Sequence, residues 1–122
     1  MWAISIKPEE KLVGTICLWH IVKENHRAEI GYIIHHDHQG KGLMHEAVEK
    51  VIEYGFHAMK LHSIEANVDP ANSASIKLLE RNNFVREGYF KENLRYDGKY
   101  FDSAIYSLLN YNWRLPDIPP KV

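Results

Sequence analysis

The sequence predicts an α+β domain of the three-layer α/β kind, a mixed and mostly antiparallel sheet flanked by helices. Three observations predict it. Apolar residues alternate through the first third, then recur at helical spacing from Lys41 to Lys60. Two glycines, Gly40 and Gly42, stand where the period changes. Near the end, Tyr96-Asp97-Gly98 separates two strand-like runs, and Asp-Gly is a strong hairpin signal.

In order, Trp2, Ile4 and Ile6 alternate as a half-buried strand does, and Pro8 to Lys11 reads as a turn. Leu12 to Ile21 and Arg27 to His35 are rich in apolar and β-branched residues, and the short break between them predicts an antiparallel meander. In the long helix Met44, Val48, Val51, Ile52, Gly55 and Met59 form one stripe, with Glu46, Glu49, Lys50 and Glu53 facing away. Gly55 costs about 1 kcal/mol against Ala in a helix interior, which close packing on a sheet would offset. Ser63 to Val68 is a short strand. Asn72 is the N-cap of a second helix with Ser75 at its third position, Ile76 and Leu79 facing the core, and an end at Asn82-Asn83, where Asn can take the left-handed conformation. Phe84 to Arg95 and Lys99 to Leu109 close the order β-β-β-α-β-α-β-β.

The 122 residues fit about one domain, with 45% apolar and 25% charged residues, which excludes disorder. The division expected is a domain over 1–112 and an irregular tail over 113–122, where Pro116, Pro119 and Pro120 forbid a helix. Fifteen basic against sixteen acidic residues give a formal charge of -1, so no basic field exists for nucleic acid or an anionic membrane surface. The single Cys17 cannot form an internal disulfide, no apolar stretch reaches the roughly 18 residues of a membrane span, and the start is not a secretory signal. The expectation is a cytoplasmic protein. His35, His36, Asp37 and His38, with His45 nearby, raise a metal site, but adjacent strand residues point to opposite faces and no ligand pair shares a helix face; no metal is expected.

The stretch Gln39-Gly40-Lys41-Gly42-Leu43-Met44 carries the chemistry. Glycines let the backbone approach a ligand, and the helix that follows offers unpaired amides and the positive end of its dipole, a site for a diphosphate. The plain alternative is a strand-to-helix turn that needs glycine for geometry. Neither Gly-x-Gly-x-x-Gly nor Gly-Lys-Ser/Thr is present.

Together these pieces resemble the GNAT superfamily of acetyl-CoA-dependent N-acetyltransferases, an acyl-CoA N-acyltransferase fold. Its loop motif Gln/Arg-x-x-Gly-x-Gly/Ala is met by Gln39 and Gly42, with Met44 in the last place. Asn72, Ser75 and Phe84 match a second signature, with Asn83 replacing Gly. Ala28-Glu29-Ile30-Gly31-Tyr32, Asn67 and Arg86-Glu87-Gly88 point to the branch that acetylates ribosomal-protein N-termini and to its relatives. The resemblance implies a family member from its second strand onward, without the usual first strand and two helices.

The resemblance implies acetyl transfer from acetyl-CoA to a primary amine, an N-terminal α-amine or a small molecule, by direct attack. The third strand and the Ile64 strand would splay around the pantetheine arm, which pairs with backbone at Ile33, Ile34 and His35. The pyrophosphate would sit on the amides from Gly40 to His45, so on Lys41, Gly42, Leu43 and Met44 between them, in the cofactor loop that Gln39 opens; Asn67 and Asn72 would bond the pantetheine or the acetyl end. Glu29 is a general base or a strand Glu paired with Arg27 or a Lys. Ser75 would protonate the leaving sulfur or simply bond nearby backbone, and Leu79 stands where many members have a Tyr acid. Glu92 is a second carboxylate candidate. The rival reading is an inactive remnant that binds CoA or a protein partner, with the uncovered Trp2 to Lys7 edge favouring a homodimer.

Overall fold

The computed structural model describes residues 2–6, 11–34 and 43–113, and these form two compact units, residues 1–64 and 65–122. The first holds β1 (Trp2–Ile6), β2 (Lys11–Val22), a 3-10 turn (Lys23–Asn25), β3 (Arg27–Ile34), α1 (Leu43–His57) and the start of β4 (Ser63–Val68). The second holds the rest of β4, α2 (Ser73–Arg81), β5 (Val85–Tyr96) and β6 (Lys99–Leu109). The element order is the one the sequence predicts. Of the turn expected at 8–11, residues 8–10 lie outside the described residues and Lys11 begins β2; of the tail expected at 113–122, all but Trp113 lie outside them.

In the first unit β1, β2 and β3 form the expected antiparallel meander. Thr15, Cys17 and Trp19 stand opposite Ile33, Gly31 and Glu29, while Ile16 and Leu18 stand opposite Tyr32 and Ile30. Because paired residues share a face and neighbours alternate, this register separates two surfaces. The even-numbered surface is the core side: Ile16, Ala28 and Ile30 are buried, as are Met44, Val48, Val51, Ile52 and Phe56 of α1. Gly55 explains how close the helix comes. A β-carbon there would lie 3.1 to 3.3 Å from side-chain methyls of Leu61, Leu18 and Ile64. The amides of His62 and Ser63 both donate to the His26 carbonyl, at 2.6 and 3.2 Å, which seats the start of β4 beside that of β3.

In the second unit the strand order is β4-β6-β5. Asn72 caps α2, its side chain accepting from the Ser75 amide at 3.1 Å. At the other end Asn83 takes φ 68°, and the amides of Asn83 and Phe84 donate to the carbonyls of Glu80 and Leu79, both at 3.0 Å. This pairing is the Schellman arrangement, and it brings the buried Phe84 next to the buried Leu79. Phe84 therefore belongs to the helix cap, and β5 begins one residue later than its apolar run suggests. Asp97 (φ 52°) and Gly98 (φ 74°) make the tight hairpin turn, both left-handed as a type I′ turn requires. Ala104, Tyr106 and Leu108 of β6 are buried, whereas β5 is exposed almost throughout.

Candidate active site

The odd-numbered face of the β2–β3 pair, opposite α1, carries the first unit's candidate chemistry. Glu29 lies there with its side chain only 14% exposed, and its Oε1 is 3.0 Å from His20 Nδ1. A carboxylate only accepts, so Nδ1 carries the proton and donates. The contact depends on an irregularity: the ladder shifts register between Trp19 and Val22, and His20 sits in the left-handed region at φ 46°. Such a bulge bends the strand and re-aims its side chain. The Trp19 indole stacks on the imidazole, with ring centroids 3.8 Å apart and planes 23° from parallel. Gly31 leaves room for it, since a β-carbon there would stand 3.3 Å from Trp19 Nε1. The partner of Glu29 is thus His20, not the Arg27 or Lys that the sequence suggests. Arg27 donates to Ser63 Oγ at 2.8 Å.

Ile33 lies on the same face and is 73% exposed, and Ile34 ends β3. His35, Gln39, Gly40, Lys41 and Gly42 lie outside the described residues, as does the His36 to His38 cluster. Among the described residues no group of three His, Cys, Asp or Glu side chains could hold a metal ion. α1 begins at Leu43, directly after the glycine pair in sequence, and Met44 is buried. At the place where the acetyltransferase motif has Gly or Ala, the Met44 side chain is therefore a core residue, and only its amide remains to serve a ligand. His45 in the same first turn pairs with Glu49 at 2.7 Å.

In the second unit, Ser75 is half-buried at the third position of α2, where its amide is the one Asn72 caps. Asn72 thus has a structural task whatever else it does. Asn67 is exposed and donates to Glu65 at 3.1 Å. Leu79, in the place of the family's Tyr, is fully buried and cannot act as an acid. Between Phe90 and Leu94 the β5–β6 ladder slips, leaving Lys91, Glu92 and Asn93 opposite Asp102 alone. Asp102 holds this bulge with both oxygens: Oδ2 accepts from Tyr89 at 2.5 Å and Oδ1 from the Glu92 amide at 2.8 Å. The hydrogen bond from Tyr89, then that from Glu92, holds the Asp102 carboxyl below its ordinary range, and the same contact raises the Tyr89 phenol. Glu92, at φ 51°, is exposed and serves the bulge through its backbone. The sequence suggested neither His20 nor the Tyr89–Asp102 pair, because both depend on cross-strand register.

The family model for the GNAT acetyltransferase domain matches residues 1–85. The chain belongs to the GNAT family. An uncharacterized N-acetyltransferase of Bacillus licheniformis is 42% identical over 108 residues, covering 88% of this chain and 61% of that protein. The ribosomal protein uS5-alanine N-acetyltransferase of Escherichia coli is 37% identical over 108 residues, covering 87% and 56%. Among solved structures, a spermidine N-acetyltransferase variant from Vibrio cholerae superposes with a TM-score of 0.86 at 27% identity, covering 95% of this chain and 68% of that one. The chain spans about three-fifths of the length of the curated relatives it matches. The GNAT fold is that expected from the resemblance, a mixed sheet flanked by helices. Among the described residues no helix is long and apolar enough to cross a membrane.

Proposed function

We propose that this GNAT domain transfers acetyl from acetyl-CoA to a primary amine by direct attack. The observation that carries the reading is Glu29: a largely buried carboxylate on the sheet face opposite α1, in a family whose chemistry needs a proton removed from an amine. A protonated amine has no lone pair with which to attack, so a base must act first. Glu29 supplies the negative charge for that step, directly or through a group bonded to it.

The loop residues Gln39, Gly40, Lys41 and Gly42, with the amides of Leu43 and Met44, receive the diphosphate at the start of α1. Backbone at Ile33, Ile34 and His35 pairs with the pantetheine arm as an added strand would, and one amide of this stretch stabilises the developing oxyanion. Asn67 and Asn72 lie among the cofactor's hydrogen-bond partners. When the carbon–sulfur bond breaks, Ser75 or a water returns a proton to the thiolate.

Relatives named for a ribosomal-protein alanine and for spermidine share a primary amine as acceptor, and both are the acceptors to try. The test is to incubate the chain with acetyl-CoA and either spermidine or an alanine-starting peptide, following free thiol and acetylated product. Product formed in proportion to enzyme supports the proposal. Acetyl-CoA binding without turnover on either acceptor supports the inactive-remnant reading instead.

A further inference from the structure

We infer that His20 is the base that receives the acceptor amine's proton, and that Glu29 is its positioning residue; this deepens the reading above and rests on it. The geometry divides the two roles. Glu29 is 14% exposed and donates nothing, so its carboxylate is a fixed, sheltered charge; His20 is 63% exposed and can meet a diffusing substrate. With Nδ1–H held on Glu29 Oε1, the lone pair of the imidazole is confined to Nε2, which no described residue engages. Fixing one ring nitrogen by a carboxylate selects the tautomer and the orientation of the ring, and leaves the other nitrogen's lone pair to face a ligand.

Imidazole also suits the task better than a carboxylate. As a class, imidazoles accept a proton nearer neutral pH than carboxylates do, and proton transfer is most effective when base and medium are matched. Trp19 stacked on the ring limits its rotation, and the bulge at His20 is the irregularity that aims it. The left-handed backbone at His20 accompanies the slip in the ladder, and its ring nitrogen meets Glu29.

The ammonium gives one N–H proton to Nε2 and keeps the electron pair, leaving a neutral amine and an imidazolium beside the Glu29 carboxylate. The amine nitrogen then bonds to the thioester carbonyl carbon, and collapse of the adduct breaks the carbon–sulfur bond. The second amine proton goes to the thiolate, and the imidazolium releases the first to water.

The test uses His20→Ala and His20→Asn in the full chain with acetyl-CoA and spermidine. Asn keeps an N–H donor for Glu29 but has no basic nitrogen, so it separates a base from a structural bond. Both variants are expected to lose about a hundredfold in kcat, the low end for losing a general base, with KM for acetyl-CoA kept within about twofold. Added imidazole is expected to restore His20→Ala by about tenfold or more. Wild-type kcat in His20→Asn, or His20→Ala indifferent to imidazole, overturns this inference and leaves the acetyltransferase reading standing. A parent chain that neither binds nor turns over acetyl-CoA overturns both.

Discussion

Two of the register shifts among the described strand pairs set a left-handed residue in hydrogen-bond contact with a carboxylate of the neighbouring strand. In β5–β6 the carboxylate is Asp102, and both of its oxygens are occupied, by the Tyr89 hydroxyl and the Glu92 amide. In β2–β3 it is Glu29, and among the described residues only Oε1 is occupied, by His20. A fully occupied carboxylate holds backbone in place and has little left to offer. One with an oxygen and a bonded imidazole still open to a ligand can take part in a reaction. The same local device, a left-handed residue bonded to a cross-strand acid, thus leaves no oxygen open in one unit and leaves one open in the other.

The largest expected effect falls on Glu29. Replacing it by Gln removes the charge that supports an imidazolium and lowers kcat by about a hundredfold or more, in the range for losing acid–base assistance. Its urea midpoint stays near that of the parent, because the Gln carbonyl still accepts from His20. A large fall in midpoint with little change in kcat would break the distinction between the two bulges.

Next comes the face opposite Glu29. Gly55→Val puts branched atoms where side chains of Leu18, Leu61 and Ile64 already stand within 3.3 Å of a first added carbon. Overpacking of this kind costs about 1–3 kcal/mol, read as a lower denaturation midpoint. An unchanged midpoint would mean that α1 can withdraw from the sheet freely.

Smaller and more local is Asp102→Asn, which weakens the Tyr89 contact and speeds hydrogen exchange at the Glu92 amide while sparing α1. Exchange that accelerates equally in both units would show that the hairpin bulge is not locally held. The pH response has the same origin. Asp102 titrates lower in the folded protein than in the unfolded chain, so its contribution is present above the ordinary carboxylate range and is lost as pH falls through the depressed value. Tyr89 is raised, so its contribution is present below the ordinary phenol range and fades as pH climbs through the raised value. Acidification should therefore expose the Glu92 amide in the parent and change it little in Asp102→Asn, the smallest of these effects because the pair is exposed.

The parts of the fold set by short-range chemistry were legible in the sequence. Asn72 as a cap, Asn83 in the left-handed region, the Asp97-Gly98 turn and the helical stripe through Gly55 all follow from residues a few places apart. The bulges were not. Their positions are set by which residue of one strand faces which of another, and a period-2 pattern in β2 gives no sign that it slips after Trp19. A carboxylate at Glu29 is therefore legible in the sequence, whereas its bond to His20, nine residues earlier, is not. Likewise Phe84 reads as strand by composition, and only the helix-end hydrogen bonds assign it to the cap.

The most direct measurement is calorimetric titration of acetyl-CoA into the parent chain and into Glu29→Gln, paired with initial rates on spermidine. One saturable site of similar affinity, competed by CoA, is expected in both proteins, with turnover by Glu29→Gln lower by about a hundredfold or more. Folded parent protein that gives no heat with acetyl-CoA, or Glu29→Gln that turns over as fast as the parent, would contradict it.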